Sequence, residues 1–173
     1  MIKRARYAIA YWLLPAAQSR DFFCKTIQRL AAKYNAPLFE PHLTLLVGPD
    51  VPGEPERTLA QVTNGPVVLP VVGVAVTSKY TKTLFVRFDS TEALLRLRHS
   101  LGEEGEAFDP HLSLLYKRLP KAEQVQLPAE IKTPFTSVIF DAIAATRCRL
   151  PVASAADVAI WKSIGWRALR FSA

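Results

Sequence analysis

The sequence has few cysteines, no long apolar run and none of the common nucleotide-loop motifs. Its only cysteines are Cys24 and Cys148, which excludes a disulfide-rich scaffold or a zinc site built from several thiolates. A reduced pair is the favoured interpretation, and one disulfide between them stays open. No apolar run reaches the roughly 18 residues of a spanning helix, so an integral membrane protein is not expected. The chain also lacks a P-loop, a Gly-x-Gly-x-x-Gly segment and a Cys-x-x-Cys pair.

Acidic residues are also fewer than basic ones. The 173 residues include 22 Lys and Arg against 15 Asp and Glu, a formal net charge of +7. This balance favours an anionic substrate or partner but says nothing about the fold. Half of the residues are hydrophobic, which is typical of a globular protein with a buried core.

The N-terminus imitates a secretory signal, with a basic start at Lys3-Arg4-Ala5-Arg6 followed by a short apolar stretch. The stretch from Tyr7 to Leu14 is rich in aromatic residues and ends at Pro15, which suits a buried strand better. We therefore expect a first strand over Arg6–Leu14 and a cytoplasmic protein.

An octet occurs twice in the chain. Residues 39–46 read Phe-Glu-Pro-His-Leu-Thr-Leu-Leu, and residues 108–115 read Phe-Asp-Pro-His-Leu-Ser-Leu-Leu. Two of the three histidines, His42 and His111, occupy the same place in it, whereas His99 lies in a helical pattern. A single duplicated motif is not a solenoid array. It indicates two similar halves that each contribute one copy to a shared centre.

The pattern around the octets mixes strands and helices, which predicts an α+β protein. We expect a helix that is capped by Ser19 and runs to Tyr34. The octets fall on predicted strands over Leu38–Val47 and His111–Tyr116, and the last predicted strand covers Val158–Leu169.

The paired motifs suggest acid–base chemistry. Side chains alternate faces along a strand, so His42 shares a face with Thr44, and His111 shares one with Ser113. Two imidazoles and two hydroxyls in one cleft suit phosphodiester hydrolysis. One imidazole takes a proton from water, the other protonates the leaving oxygen, and the hydroxyls bind the non-bridging oxygens. This arrangement requires no metal.

Two other interpretations of the histidines remain open. A strand histidine is often only a satisfied polar group at the edge of a core, and a lone His-x-Thr is a weak signal. A metal site would need more ligands, and only Glu40 and Asp109 lie near the histidines, each separated from one by a proline. The repetition of the whole octet favours catalysis.

The two motifs resemble those of the 2H phosphoesterase superfamily, and within it the chain is similar to cyclic phosphodiesterases of the plant and yeast type. The resemblance rests on Tyr-Ala-Ile-Ala-Tyr-Trp-Leu-Leu-Pro at 7–15, Phe-Glu-Pro-His-Leu-Thr at 39–44 and Pro-His-Leu-Ser-Leu-Leu-Tyr at 110–116. It implies a single domain over residues 1–173. Two pseudo-symmetric α+β lobes, each with an antiparallel sheet and flanking helices, would surround a central cleft.

The resemblance also implies site residues. His42, Thr44, His111 and Ser113 fall on the family's catalytic tetrad, with His111 as the base toward water and His42 as the acid. Substrate-binding positions are expected at Trp12 and Tyr116, and in a turn at Lys79 and Tyr80. Strand alternation by itself points Tyr116 away from His111. The alternative for the turn residues is a solvated hairpin tip.

The family opens ADP-ribose 1″,2″-cyclic phosphate and converts nucleoside 2′,3′-cyclic phosphates to 2′-phosphates, without a cofactor. We therefore expect a monomeric enzyme whose partner is a small cyclic-phosphate nucleotide, not a membrane. Two alternatives stay open: an enzyme that acts on RNA 3′ ends, including the 2′–5′ RNA ligase type, and a non-catalytic module that binds such ends or cyclic nucleotides.

Overall fold

The computed structural model describes residues 6–105 and 107–171. Residues 3–5, the basic start of the signal-like segment, lie outside them. The strands are β1 (Arg6–Pro15), β2 (Leu43–Pro49), β3 (Val67–Val76), β4 (Leu84–Phe88), β5 (His111–Leu115), β6 (Ser137–Leu150) and β7 (Lys162–Ala168). The helices are α1 (Ala17–Tyr34), α2 (Glu54–Gln61), α3 (Glu92–Ser100), α4 (Lys121–Gln124) and α5 (Ala155–Ala159), with 3₁₀ turns at Tyr80–Lys82 and Leu127–Glu130.

All strand pairs are antiparallel, in the order β1-β2-β5-β4-β3-β6-β7, with a further pairing between β1 and β6. The start of β6 pairs with β3, and its remainder lies between β1 and β7. β6 therefore connects β3 with β1 and β7. The predicted α+β class with antiparallel strands and flanking helices is confirmed, and β6 joins the two expected sheets into one network.

The helices cover the sheet with apolar side chains at helical spacing. In α1, the side chains of Phe23, Ile27 and Leu30 recur at intervals of four and three residues, and all three are buried. Leu94 and Leu97 of α3 are buried in the same core. Within the described ranges, no helix combines the length and the apolar character that crossing a membrane demands.

A buried arginine ties the two octet regions together. The guanidinium of Arg98, on α3, donates to the carbonyl oxygen of Leu45 in β2 at 3.3 Å and to that of Gly105 at 3.0 Å. It also lies 3.8 Å from the ring centre of Phe108, the first residue of the second octet. Because hydrogen bonds to a charged donor are stronger than neutral ones, Arg98 holds both octets against α3.

Three predicted boundaries are wrong. The cap of α1 is Ala16, and the hydroxyl of Ser19 lies inside the first turn and donates back to the Ala16 carbonyl at 3.1 Å. The predicted last strand begins too early, because Ser154 caps the short helix α5 by accepting a hydrogen bond from the amide of Asp157. The first octet strand is also shorter than predicted and begins at Leu43.

Candidate active site

The two octets meet where β2 pairs with β5. β2 and β5 share one registered pair, Leu43 with Leu112, and both leucine side chains are fully buried. Extending this antiparallel register by one residue on each side brings Thr44 opposite His111 and His42 opposite Ser113. These four residues, the predicted tetrad, line one pocket of about 190 Å³.

The same local hydrogen bond orients both imidazoles. The Nδ1 atom of His42 lies 2.6 Å from the carbonyl oxygen of Glu40, and that of His111 lies 2.8 Å from the carbonyl oxygen of Asp109. A carbonyl oxygen only accepts, so Nδ1 carries the proton and Nε2 is the free acceptor in the neutral ring. The proline between the acidic residue and the histidine restricts φ at the same place in both copies.

His42 lies among aromatic rings. Its imidazole stacks on the indole of Trp12, with ring centres 3.8 Å apart and planes 14° apart. The rings of Trp161 and Phe39 meet it edge-on at 5.9 Å and 6.2 Å. Loss of solvent lowers the pKa of His42 to about 4, against the opposing effect of its hydrogen bond to Glu40.

His111 has a more polar environment. Burial again lowers its pKa, and the positive charges of Lys82 and Lys79 act in the same direction. The carboxylate of Asp109 accepts from Lys82 Nζ at 2.6 Å and from Arg87 Nη2 at 3.0 Å. These contacts hold the pKa of that carboxyl below its usual range and fix the segment whose carbonyl orients His111.

The acidic residues of the octets are engaged away from the histidine rings. Glu40 pairs with Arg20, and Asp109 pairs with Lys82 and Arg87. In the part of the chain that the structure describes, no group of three or more His, Cys, Asp or Glu side chains is arranged to hold a metal ion.

The other predicted substrate-binding residues divide into two groups. Trp12 and Tyr116 line the pocket with the tetrad, whereas Lys79 and Tyr80 do not, although Thr81 of the same turn does. Lys79 is exposed, and the ring of Tyr80 lies 6.1 Å from that of Tyr116. Roles in substrate binding for Lys79 and Tyr80 therefore stay predictions.

Tyr116 is placed differently from what strand alternation predicts. For Trp12, one face of the indole ring is occupied by His42. Tyr116 follows the last residue of β5, so strand alternation no longer governs its direction. Its ring lines the pocket and stacks on Phe39, with centres 4.0 Å apart.

Sequence reasoning missed several pocket residues, among them Ala10, Thr81, Cys148 and Trp161. Alternation along β1 could have found Ala10, which shares a face with Trp12. No such signal marks Trp161, which lies between α5 and β7 and is brought to the site only by the folded chain.

Residues 7–105, more than half of the chain, match the sequence profile of the family described as cyclic phosphodiesterase-like protein. The chain belongs to this family. The matched range contains His42 and Thr44 and ends before the second octet. No curated protein matches the sequence.

The fold of this cyclic phosphodiesterase-like protein is shared with several solved structures. E. coli LigT complexed with phosphate is 16% identical with a TM-score of 0.55, and the alignment covers 94% of this chain and 96% of LigT. LigT complexed with 3′-AMP is 15% identical with a TM-score of 0.57, and the alignment covers 95% of this chain and 98% of LigT. TT0787 of Thermus thermophilus is 17% identical with a TM-score of 0.60, and the alignment covers 96% of this chain and 100% of TT0787. At these identities the likeness shows the fold, and with the family match it confirms membership of the 2H phosphoesterase superfamily.

Burial of His42 predicts a pH-dependent stability of this cyclic phosphodiesterase-like protein. Its pKa is about 4 when folded and near the ordinary 6.5 when unfolded, so the unfolded chain binds the proton more readily. The neutral His42 therefore contributes to the free energy of unfolding in full above about pH 6.5. This contribution of roughly 3 kcal/mol is lost as the pH falls toward 4. Urea unfolding of the wild type and His42→Asn at several pH values measures it. Equal pH dependence in both proteins would contradict the prediction.

Proposed function

We propose that the protein hydrolyses cyclic phosphodiesters of small nucleotides without a metal ion, by paired-histidine acid–base catalysis. The observation that carries this proposal is the convergence of both motifs in one pocket, with each Nδ1 atom fixed by a backbone carbonyl. The two halves that supply the motifs are proposed to act as one domain.

Exposure supports the division of roles that the family resemblance implies. His111 is only partly buried, so water can reach it, whereas His42 is enclosed by rings. In the proposed reaction Nε2 of His111 takes a proton from water, whose oxygen attacks phosphorus. The bond from phosphorus to one ring oxygen breaks, and protonated His42 gives that oxygen its proton. Solvent then returns the proton from His111 to His42.

The low pKa of His42 adds one requirement to this scheme. In the unliganded protein His42 is neutral at pH 7, because burial disfavours its charged form. A phosphodiester anion bound beside the ring offsets that penalty, since an opposite charge nearby favours the imidazolium. We propose that His42 takes up its proton when the anion binds.

The lining of the pocket favours a small substrate over a polymer. The pocket is lined by aromatic, aliphatic and hydroxyl side chains together with the two histidines, and no Lys or Arg of the described ranges is among them. A site for a long RNA backbone is expected to carry basic side chains along its path. LigT, which shares the fold, has been crystallised with phosphate and with 3′-AMP, and these small ligands are consistent with the proposal.

The proposal is tested by incubating the protein with 2′,3′-cyclic AMP in EDTA and following the product by phosphorus NMR. We expect a 2′-phosphate, and in a parallel reaction ADP-ribose 1″-phosphate from the 1″,2″-cyclic compound. Turnover only after a metal is restored would contradict metal independence. Strong, salt-sensitive competition by single-stranded RNA would favour the RNA-end enzyme, and tight binding without product would favour the binding module.

A further inference from the structure

A second pocket adjoins the first one. It has a volume of about 210 Å³ and shares Trp12 and Trp161 with the tetrad pocket. Phe39, Ala144 and Val158 supply apolar parts of its wall. Together the two pockets reach the lower part of the roughly 300–1,000 Å³ that small-ligand sites span. A ligand whose phosphate lies at the tetrad can therefore extend past the two tryptophans.

Two buried polar atoms at this second pocket are unpaired. Within the described residues, neither the hydroxyl of Thr146 nor the indole Nε1 of Trp161 has a hydrogen-bond partner. Thr146 is 2% exposed, and both side chains line the pocket. Because buried polar groups are nearly always hydrogen-bonded, a pair of exceptions at one cavity points to a partner that enters it.

We propose that the second pocket binds the nucleobase of the substrate, with the indole N–H of Trp161 donating to a base acceptor and Thr146 Oγ1 bonding to the same ring. This inference rests on the proposed function. The occupant is an uncharged planar group, because the walls are mainly aromatic and aliphatic and Glu40, the one charged residue that the described ranges place among them, is already paired with Arg20.

The position of Trp161 suits a binding role. It lies on the connection between α5 and β7, outside the strand ladder, and its ring meets Trp12 edge-on at 5.1 Å. Protein atoms cover Nε1 of Trp161 and Oγ1 of Thr146, so the proposal requires the Trp161 ring to turn when a base binds. Offset stacking on aromatic rings gives affinity, and the two polar atoms give orientation.

The test compares nucleoside 2′,3′-cyclic phosphates of all four bases with the 2,3-cyclic phosphate of methyl riboside, which has no base. We expect the wild type to favour the best nucleotide by at least about tenfold in kcat/KM, and Thr146→Val and Trp161→Phe to reduce that preference by about three- to tenfold. Thr136→Val, an exposed threonine away from the pocket, is the matched control and should keep the preference. Equal kcat/KM with and without a base would overturn the inference, as would variants that slow all substrates equally.

Two further readouts separate the possible failures. Thr146→Val should not lower the melting temperature, because only the backbone of Thr146 is paired in the sheet and its hydroxyl has no partner among the described residues, and a large loss would indicate a structural role. If no cyclic phosphate is hydrolysed, the proposed function fails. Calorimetric measurement of the binding of the same compounds still tests whether the second pocket binds a nucleobase. Tighter binding of the nucleotides, weakened by Thr146→Val, supports it, and equal binding of the base-free compound overturns it.

Discussion

Replacing either His42 or His111 by alanine is expected to lower kcat for 2′,3′-cyclic AMP by about 10²–10⁴-fold, the range typical of general acid–base catalysis. Each imidazole lines the tetrad pocket and has its tautomer set by a backbone carbonyl, so removing one ring removes a positioned proton acceptor or donor. Because the two act on one reaction, the double variant should be little slower than the worse single variant.

The chain supplies a matched control in its third histidine. His99 is exposed on α3 and lies outside the pocket, so His99→Ala should keep wild-type turnover. His42→Asn is a second variant at the more enclosed position, where alanine would leave a hole between Trp12 and Phe39. Rates from phosphorus NMR and melting temperatures separate catalysis from folding. A near-wild-type rate in a folded variant of either histidine would refute the proposed mechanism.

The sequence predicted the convergence of the motifs because two local rules hold at the site. Alternation along a strand places His42 with Thr44 and His111 with Ser113, and the duplicated octet indicates a shared centre. The single pair Leu43–Leu112 provides that centre in the structure. The alternation rule gave the wrong expectation only for Tyr116, where the strand has already ended.

The surroundings of the histidines could not be predicted in the same way. The octets are nearly identical, yet Trp12 and Trp161 enclose His42, whereas Lys82 and Arg87 bind the carboxylate of Asp109 next to His111. These contacts join residues that are distant in the chain. Local periodicity carries no information about them, so the difference between the two imidazole environments appears only in the fold.

The two hydroxyls of the tetrad should also have large but unequal effects. Thr44→Val and Ser113→Ala each remove a hydroxyl that is proposed to donate to a non-bridging phosphate oxygen, and losing one such donor costs about 10²–10³-fold in kcat in comparable sites. The Ser113 hydroxyl donates to the carbonyl oxygen of Thr81 at 2.7 Å and must turn away from it to reach a phosphate. Because the Ser113 hydroxyl must give up its hydrogen bond to Thr81 before it can bind the phosphate, its net stabilisation of the transition state is smaller. Ser113→Ala should therefore lower kcat less than Thr44→Val.

Steady-state kinetics on conservative and disruptive variants tests this ordering. Thr44→Ser and Ser113→Thr keep a hydroxyl and should recover most of the rate, whereas Thr44→Val and Ser113→Ala should lower kcat more than they raise KM. The reason is that negative charge on the equatorial oxygens grows as the attacking oxygen approaches phosphorus, so the donors stabilise the transition state more than the bound substrate. Unchanged kcat in Thr44→Val would show that the threonine only shapes the pocket, and the phosphate would then need another donor.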